Sequence, residues 1–134
     1  MKVLTATVEG SDAVLAERVH VADNLWSRFW GLMGRRALAD SEALLISPCY
    51  SVHTMFMRFP IDVIFLDGDT RVLKVARALK PFRAAVRRGA RSVLELNPGA
   101  ASAAGVSIGS RVLLTEGPRS HDRGQPGEDD PRSP

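Results

Sequence analysis

One cysteine, Cys49, occurs in 134 residues, so no disulfide can form within the chain. No apolar run approaches the roughly 20 residues that a membrane-spanning helix needs. The opening MKVLTATVEG has no long apolar stretch of the kind found in a cleaved signal or an anchor, and a cytoplasmic location is expected. Aromatic residues make up 6% of the chain. Acids are absent between Arg71 and Arg91, a stretch that holds Arg71, Lys74, Arg77, Lys80, Arg83, Arg87, Arg88 and Arg91. A basic patch can attract nucleic acid or another polyanion. With scarcely an aromatic interleaved to stack bases, the simpler reading is a solvated basic face, and nucleic acid is the less expected partner. No internal repeat occurs.

What the chain does have is enough apolar content, 45%, to bury the core of one domain of ordinary size. Residues 1–116 are expected to form that domain. From residue 117 onward Gly, Pro, Ser and charge dominate, with three arginines and four acids. That tail has too little apolar side chain to offset its ordering entropy, so disorder is expected there.

The stretch CYSVHTMFMRFPIDVIFLDG, residues 49–68, is the centre of the chain. Pro60 fixes its own φ, removes a strand donor and pushes Phe59 towards extended geometry. Residues 50–58 and 61–66 are therefore expected to be separate strands meeting at a corner. The second is a continuous apolar run closed by Asp67-Gly68-Asp69, a strong hairpin signal that pairs it with residues 71–79. Elsewhere, residues 2–9 and 13–21 read as a hairpin around Gly10-Ser11. Residues 43–46, 92–96 and 111–115 read as strands, 80–90 as a basic loop, and 100–104 as a helical turn. Asp23 or Asn24 can cap a helix over residues 25–35, where Leu25, Phe29, Leu32 and Met33 recur at helical spacing.

Four ordered segments carry a family likeness: RFWGLMGR (28–35), CYSVHTMFMRFPIDVIFLD (49–67), ARSVLELNPG (90–99) and GVSIGSRV (105–112). Together they resemble a prokaryotic family known only as a domain of unknown function, number 192 in its series. The resemblance covers residues 2–116. It implies a compact, mostly β domain with a short helix and no settled activity. Many members of that family carry an export signal or lipid anchor, which this N-terminus does not match. The GVSIGSRV segment is also similar to the closing turn of small β-barrels.

The residues with chemical potential cluster in the central stretch. Cys49, His53 and Asp62 offer a nucleophile, a base and an orienting acid. On one extended strand, however, Cys49 and His53 lie four residues apart, roughly 13 Å at 3.3 Å per residue. Cys49, His53, Met55 and Met57 suit a soft ion such as Cu(I), but methionines of this kind are usually core filler. No metal and no cofactor is expected. Arg58 and Asp62 flank Pro60 and could pair with each other, or Arg58 could join Arg28 in holding an anion.

The fold expected is α+β and mostly β: an antiparallel or mixed sheet curled into a partly closed barrel, with the 25–35 helix over one opening. The expected function is a non-enzymatic binding module for an anionic small ligand or peptide. Its pocket would involve Arg28, Cys49, His53, Met57, Arg58 and Asp62, between the helix and the central stretch. The alternatives are a hydrolase using His53 and Asp62, with or without Cys49, and weak polyanion binding through residues 71–91.

Overall fold

A computed structural model describes residues 3–22, 38, 41–54 and 59–116. The chain opens with β1 (Val3–Val8) and β2 (Val14–Ala22), the hairpin expected around Gly10. There follow β3 (Glu42–Ile46), β4 (Ser51–His53), β5 (Ile61–Leu66), β6 (Val72–Leu79), β7 (Ala84–Val86), β8 (Ser92–Leu96), α1 (Ala100–Ala103) and β9 (Val112–Glu116). Seven strands form one sheet in the order β6-β5-β8-β3-β2-β1-β9, and β4 pairs with β7 in a separate ribbon. Strands β2 and β3 run parallel. The other pairs among the described strands are antiparallel.

The large sheet curls into a half-barrel. Its two edge strands meet at one end, where Arg71 and Arg111 form an antiparallel bridge. Val72 N–H donates to the Ser110 carbonyl at 2.8 Å, Gly109 N–H to the Val72 carbonyl at 2.9 Å, and Val112 N–H to the Thr70 carbonyl at 2.9 Å. Arg111 Nε adds a bond to the Asp69 carbonyl at 3.1 Å, and Arg71 Nη1 one to the Gly109 carbonyl at 3.2 Å. The GVSIGSRV segment is thus the clasp between the edges.

Strands β5 and β8 are buried along their whole length, which is why apolar residues fall on both of their faces. Their alternate residues feed two cores. Ile64, Leu66, Leu94 and Leu96 line the inside of the curl with Val19, Val72 and Val112. Ile61, Val63, Phe65 and Val93 pack on the outside with Leu44, Ile46 and Val52. Burying one such side chain is worth roughly 1.5–3 kcal/mol. Val52 and Ala85 join this outer layer and hold the β4–β7 ribbon on it.

Two acids are buried among these strands. Asp62 is 1% exposed and Glu95 0%. They occupy neighbouring strands but opposite faces, because Asp62 pairs with Leu96 and Glu95 with Val63. Asp62 lies opposite a bulge in β6, where the register shifts between Ile61 and Val63. A bulge leaves a backbone group without a ladder partner. Here Ala78, at φ 48, turns its N–H to Asp62 Oδ1 at 2.8 Å. Oδ2 accepts the N–H groups of Gly99 at 3.0 Å and Ala101 at 3.1 Å. One carboxylate therefore joins β5, the β6 bulge and the start of α1.

The structure departs from the sequence reading in two places. The expected strand over residues 50–58 is only the three-residue β4, with residues 55–58 outside the described set. Ser51 and His53 are exposed and Val52 is buried, so one face meets solvent rather than both being covered. The expected basic loop over 80–90 contains β7, which pairs with β4. Its Ala-Ala-Val sequence carries no strand periodicity, and the strand exists because β4 supplies its partner. The expected helix over residues 25–35 and the tail from 117 lie outside the described residues.

Asp62→Ala leaves three backbone amides, one buried and two part-buried, without their acceptor. It should cost about 3–5 kcal/mol, read as a lower midpoint in urea unfolding; a loss below about 1 kcal/mol contradicts the assigned role. A second carboxylate gives a pH signature. In the β5–β6 turn, Asp67 Oδ1 accepts the N–H groups of Arg71 at 2.9 Å and Asp69 at 2.8 Å. The Arg71 amide first, and the Asp69 amide after it, hold this carboxyl below its ordinary 3.8. A carboxyl lowered on folding stabilises above its unfolded value, and that contribution disappears as pH falls through the lowered native value. Asp67→Ala should therefore melt below the parent at neutral pH, with the gap closing under acid. A gap that widens under acid contradicts this sign.

Candidate functional site

The ribbon is the part of the described structure that leaves polar side chains facing out over an apolar floor. A cleft of about 350 Å³ lies between it and β6, bordered by Ser51, His53, Lys74 and the β7 residues Ala84 and Val86. The alternation of β4 sends Val52 inward and leaves Ser51 and His53 exposed. Lys74 enters from β6. Its Nζ donates to the Val86 carbonyl at 3.1 Å and stands 5.8 Å from the centre of the Phe65 ring. Such a contact anchors the ammonium while leaving N–H donors for a ligand.

A buried threonine sets one end of the ribbon. Thr54 is fully buried. Its hydroxyl donates to the Lys80 carbonyl at 2.6 Å and accepts the Arg83 N–H at 2.9 Å. Its backbone carbonyl accepts the Phe82 N–H at 3.0 Å, and its own N–H donates to the Arg83 carbonyl at 2.8 Å. The loop from Lys80 to Arg83 is thus fixed to β4. At the other end, Arg87 N–H donates to the Tyr50 carbonyl at 3.0 Å.

The expected site residues do not all converge. His53 is exposed on the ribbon, which packs on the outer layer. Asp62 shares the inner face with Ile64 and Leu66, and both its oxygens are taken by backbone amides. The hydrolase reading that joined His53 to Asp62 is corrected on this ground: the two lie on opposite faces of the large sheet, because the nine-residue step between them includes a change of sheet. Cys49 is half-buried and packs against the outer layer; its thiol donates to the Ser51 carbonyl at 3.0 Å. Arg28, Met57 and Arg58 lie outside the described residues, as does Met55. Among the described residues no three His, Cys, Asp or Glu side chains gather where they could hold an ion.

The basic segment divides between two tasks. Arg77 donates to Ser102 Oγ at 2.9 Å and the Val106 carbonyl at 3.1 Å, and with Arg71 it fixes the segment between α1 and β9. Lys74 serves the cleft. Lys80, Arg83, Arg87 and Arg88 stay exposed around the ribbon. The sequence placed Lys74 in the basic run without assigning it to a cleft, and gave no role to Thr54. The signal available was the acid-free run itself, but only the pairing of β4 with β7 decides which of its cations share a surface.

Comparison with known proteins gives a consistent picture. The model of the family DUF192, described as an uncharacterized ACR, matches residues 5–114. A UPF0127 protein of Pyrococcus furiosus is 39% identical over 98 residues, 70% of this chain and 84% of that one. A UPF0127 protein of Thermococcus sibiricus is 34% identical over 103 residues, 71% of this chain and 64% of that one. A crystal structure of a protein of unknown function from Novosphingobium aromaticivorans DSM 12444 superposes with a TM-score of 0.71 at 28% identity, covering 83% of this chain and 84% of that one. A candidate transcription regulator from Sinorhizobium meliloti 1021 superposes with a TM-score of 0.70 at 26% identity, covering 84% of this chain and 91% of that one. No described helix is long and apolar enough to cross a membrane.

The separation of His53 from Asp62 has a measurable consequence. In a double-mutant cycle of His53→Ala and Asp62→Asn, the stability changes should add within about 0.5 kcal/mol. A coupling above about 1 kcal/mol would show that the two side chains act together after all.

Proposed function

The chain belongs to the DUF192 family, and on that premise we propose that it is a non-enzymatic binding module, taking an anionic small ligand or peptide in the cleft between the β4–β7 ribbon and β6. The observation that carries the reading is Lys74: a cation held at the mouth of a cleft with an apolar floor, by the Val86 carbonyl and the Phe65 ring. The cleft falls within the usual size of small-ligand pockets, about 300–1,000 Å³, and its few polar groups stand on an apolar background. The ligand would present its charge to Lys74 and accept hydrogen bonds from Ser51 and His53, while its apolar part lies on Ala84, Ala85 and Val86.

Charge supports the same class. The chain between Thr70 and Leu94 contains no acid, so an incoming anion meets attraction without local repulsion. An enzyme is the weaker reading, since the acid proposed to orient His53 is committed to backbone amides on the other face.

The test is isothermal titration with inorganic pyrophosphate, citrate and a short polyglutamate peptide. At least one should bind, and Lys74→Gln should weaken it about tenfold or more while the melting temperature stays within a few degrees. If the parent binds none of the three, or Lys74→Gln binds as well as the parent, the reading fails.

A further inference from the structure

The surface around the cleft holds something that the cleft alone does not require. Two aromatic residues on the segments flanking the ribbon stand in solvent: Tyr50 is 56% exposed and Phe82 is 71% exposed. Burial of rings is the general preference, and this chain has few to spare. Phe82 also has φ 63, the left-handed region that a bulky residue enters only under constraint. The constraint is visible: Thr54 grips the residues on both sides through the Lys80 and Arg83 bonds and takes the Phe82 N–H on its carbonyl. The structure thus fixes a strained loop whose exposed product is a ring beside Lys80 and Arg83. At the opposite end the Tyr50 carbonyl accepts the Arg87 N–H.

We propose that this ribbon surface is a binding platform for single-stranded nucleic acid. Phe82 and Tyr50 stack on bases, and Lys80, Arg83, Arg87 and Arg88 take phosphates along an extended backbone. The proposal rests on the anion-binding reading of the cleft and extends it from a small ligand or peptide to a polyanion, with Lys74 contacting a central phosphate. The two rings lie at opposite ends of β4 and its flanks, roughly 13 Å apart along the strand, a span that a short extended oligonucleotide bridges. Acid-free positive charge combined with exposed rings is what non-sequence-specific single-strand binding requires. The sequence disfavours this partner only because the basic run itself is poor in aromatics; Tyr50 comes to it from β4, through pairing with β7. An acidic peptide would use the cations but has no use for two exposed, rigidly presented rings.

The experiment is fluorescence anisotropy with a labelled short oligouridylate in rising salt, beside a polyglutamate peptide of equal length and pyrophosphate. Expected results are tighter binding of the oligonucleotide than of polyglutamate and about tenfold weakening in Tyr50→Ala and in Phe82→Ala. Phe82→Trp should retain binding. Arg87→Gln should make the logarithmic salt slope shallower by about 0.7. Thermal melts confirm that each variant is folded, and Phe82→Gly, which also removes the φ strain, should bind as poorly as Phe82→Ala. Equal binding of polyglutamate, or ring variants that bind like the parent, overturns the proposal. If pyrophosphate binds in a Lys74-dependent way while the oligonucleotide does not bind, this proposal falls and the anion-binding reading stands. If the oligonucleotide, pyrophosphate, citrate and polyglutamate all fail to bind, both fall.

Discussion

The carboxylate of Asp62 is the constraint on which the shape of the domain depends. It is buried, and burying an unpartnered carboxylate is prohibitive. Three backbone N–H groups answer it, from Ala78, Gly99 and Ala101. Each comes from a segment that has left regular pairing: a bulge in an edge strand, a turn, and the first residues of a four-residue helix. Without a shared acceptor these donors, the Ala101 amide buried and those of Ala78 and Gly99 part-buried, would be unpaired too. The interaction is therefore reciprocal, and it fixes where β6 bends and where the α1 segment docks against the inside of the curl.

That bend has consequences outward. With β6 curled, its start meets the segment before β9 and the half-barrel closes at one end. Its outer face carries Lys74 to the ribbon, where the ammonium meets the Val86 carbonyl. The ribbon cannot stand alone, since an isolated two-stranded sheet is marginal in water. It depends on Val52 and Ala85 packing over the outer core, and on Lys74. The proposed binding surface is thus carried by a small element that a rigid sheet supports from beneath, an arrangement suited to presenting side chains rather than to hiding them.

Much of the fold is legible from residue order. Asp67-Gly68 announces the β5–β6 hairpin, and the run Ile61–Leu66, apolar except for Asp62, announces a strand covered on both faces. The likeness in the GVSIGSRV segment to a barrel's closing turn agrees with its place as the clasp. The ribbon is less legible. Strand β4 has three residues, and β7 has two alanines and a valine in an arginine-rich stretch; neither has the length or alternation that a strand signal needs. The candidate site suffers for the same reason. His53 and Asp62 are near in sequence, but Pro60 and the change of sheet put a layer of core between them.

Residue order alone is enough to assign the class of domain and its central strands, because burial on one or both faces dictates which residue types can occupy them. It also determined that a long segment would carry positive charge without acid. How those charges are shared follows from the packing of the strands, with Arg71 and Arg77 bonded to the α1–β9 segment and Lys74 and its neighbours left around the ribbon. The tertiary structure alone decided that Asp62 is a structural acceptor and that Tyr50 stands beside Arg87. The physical reason is common to all of these: hydrogen-bond partners separated by tens of residues are chosen by chain topology, and local periodicity holds no record of that choice.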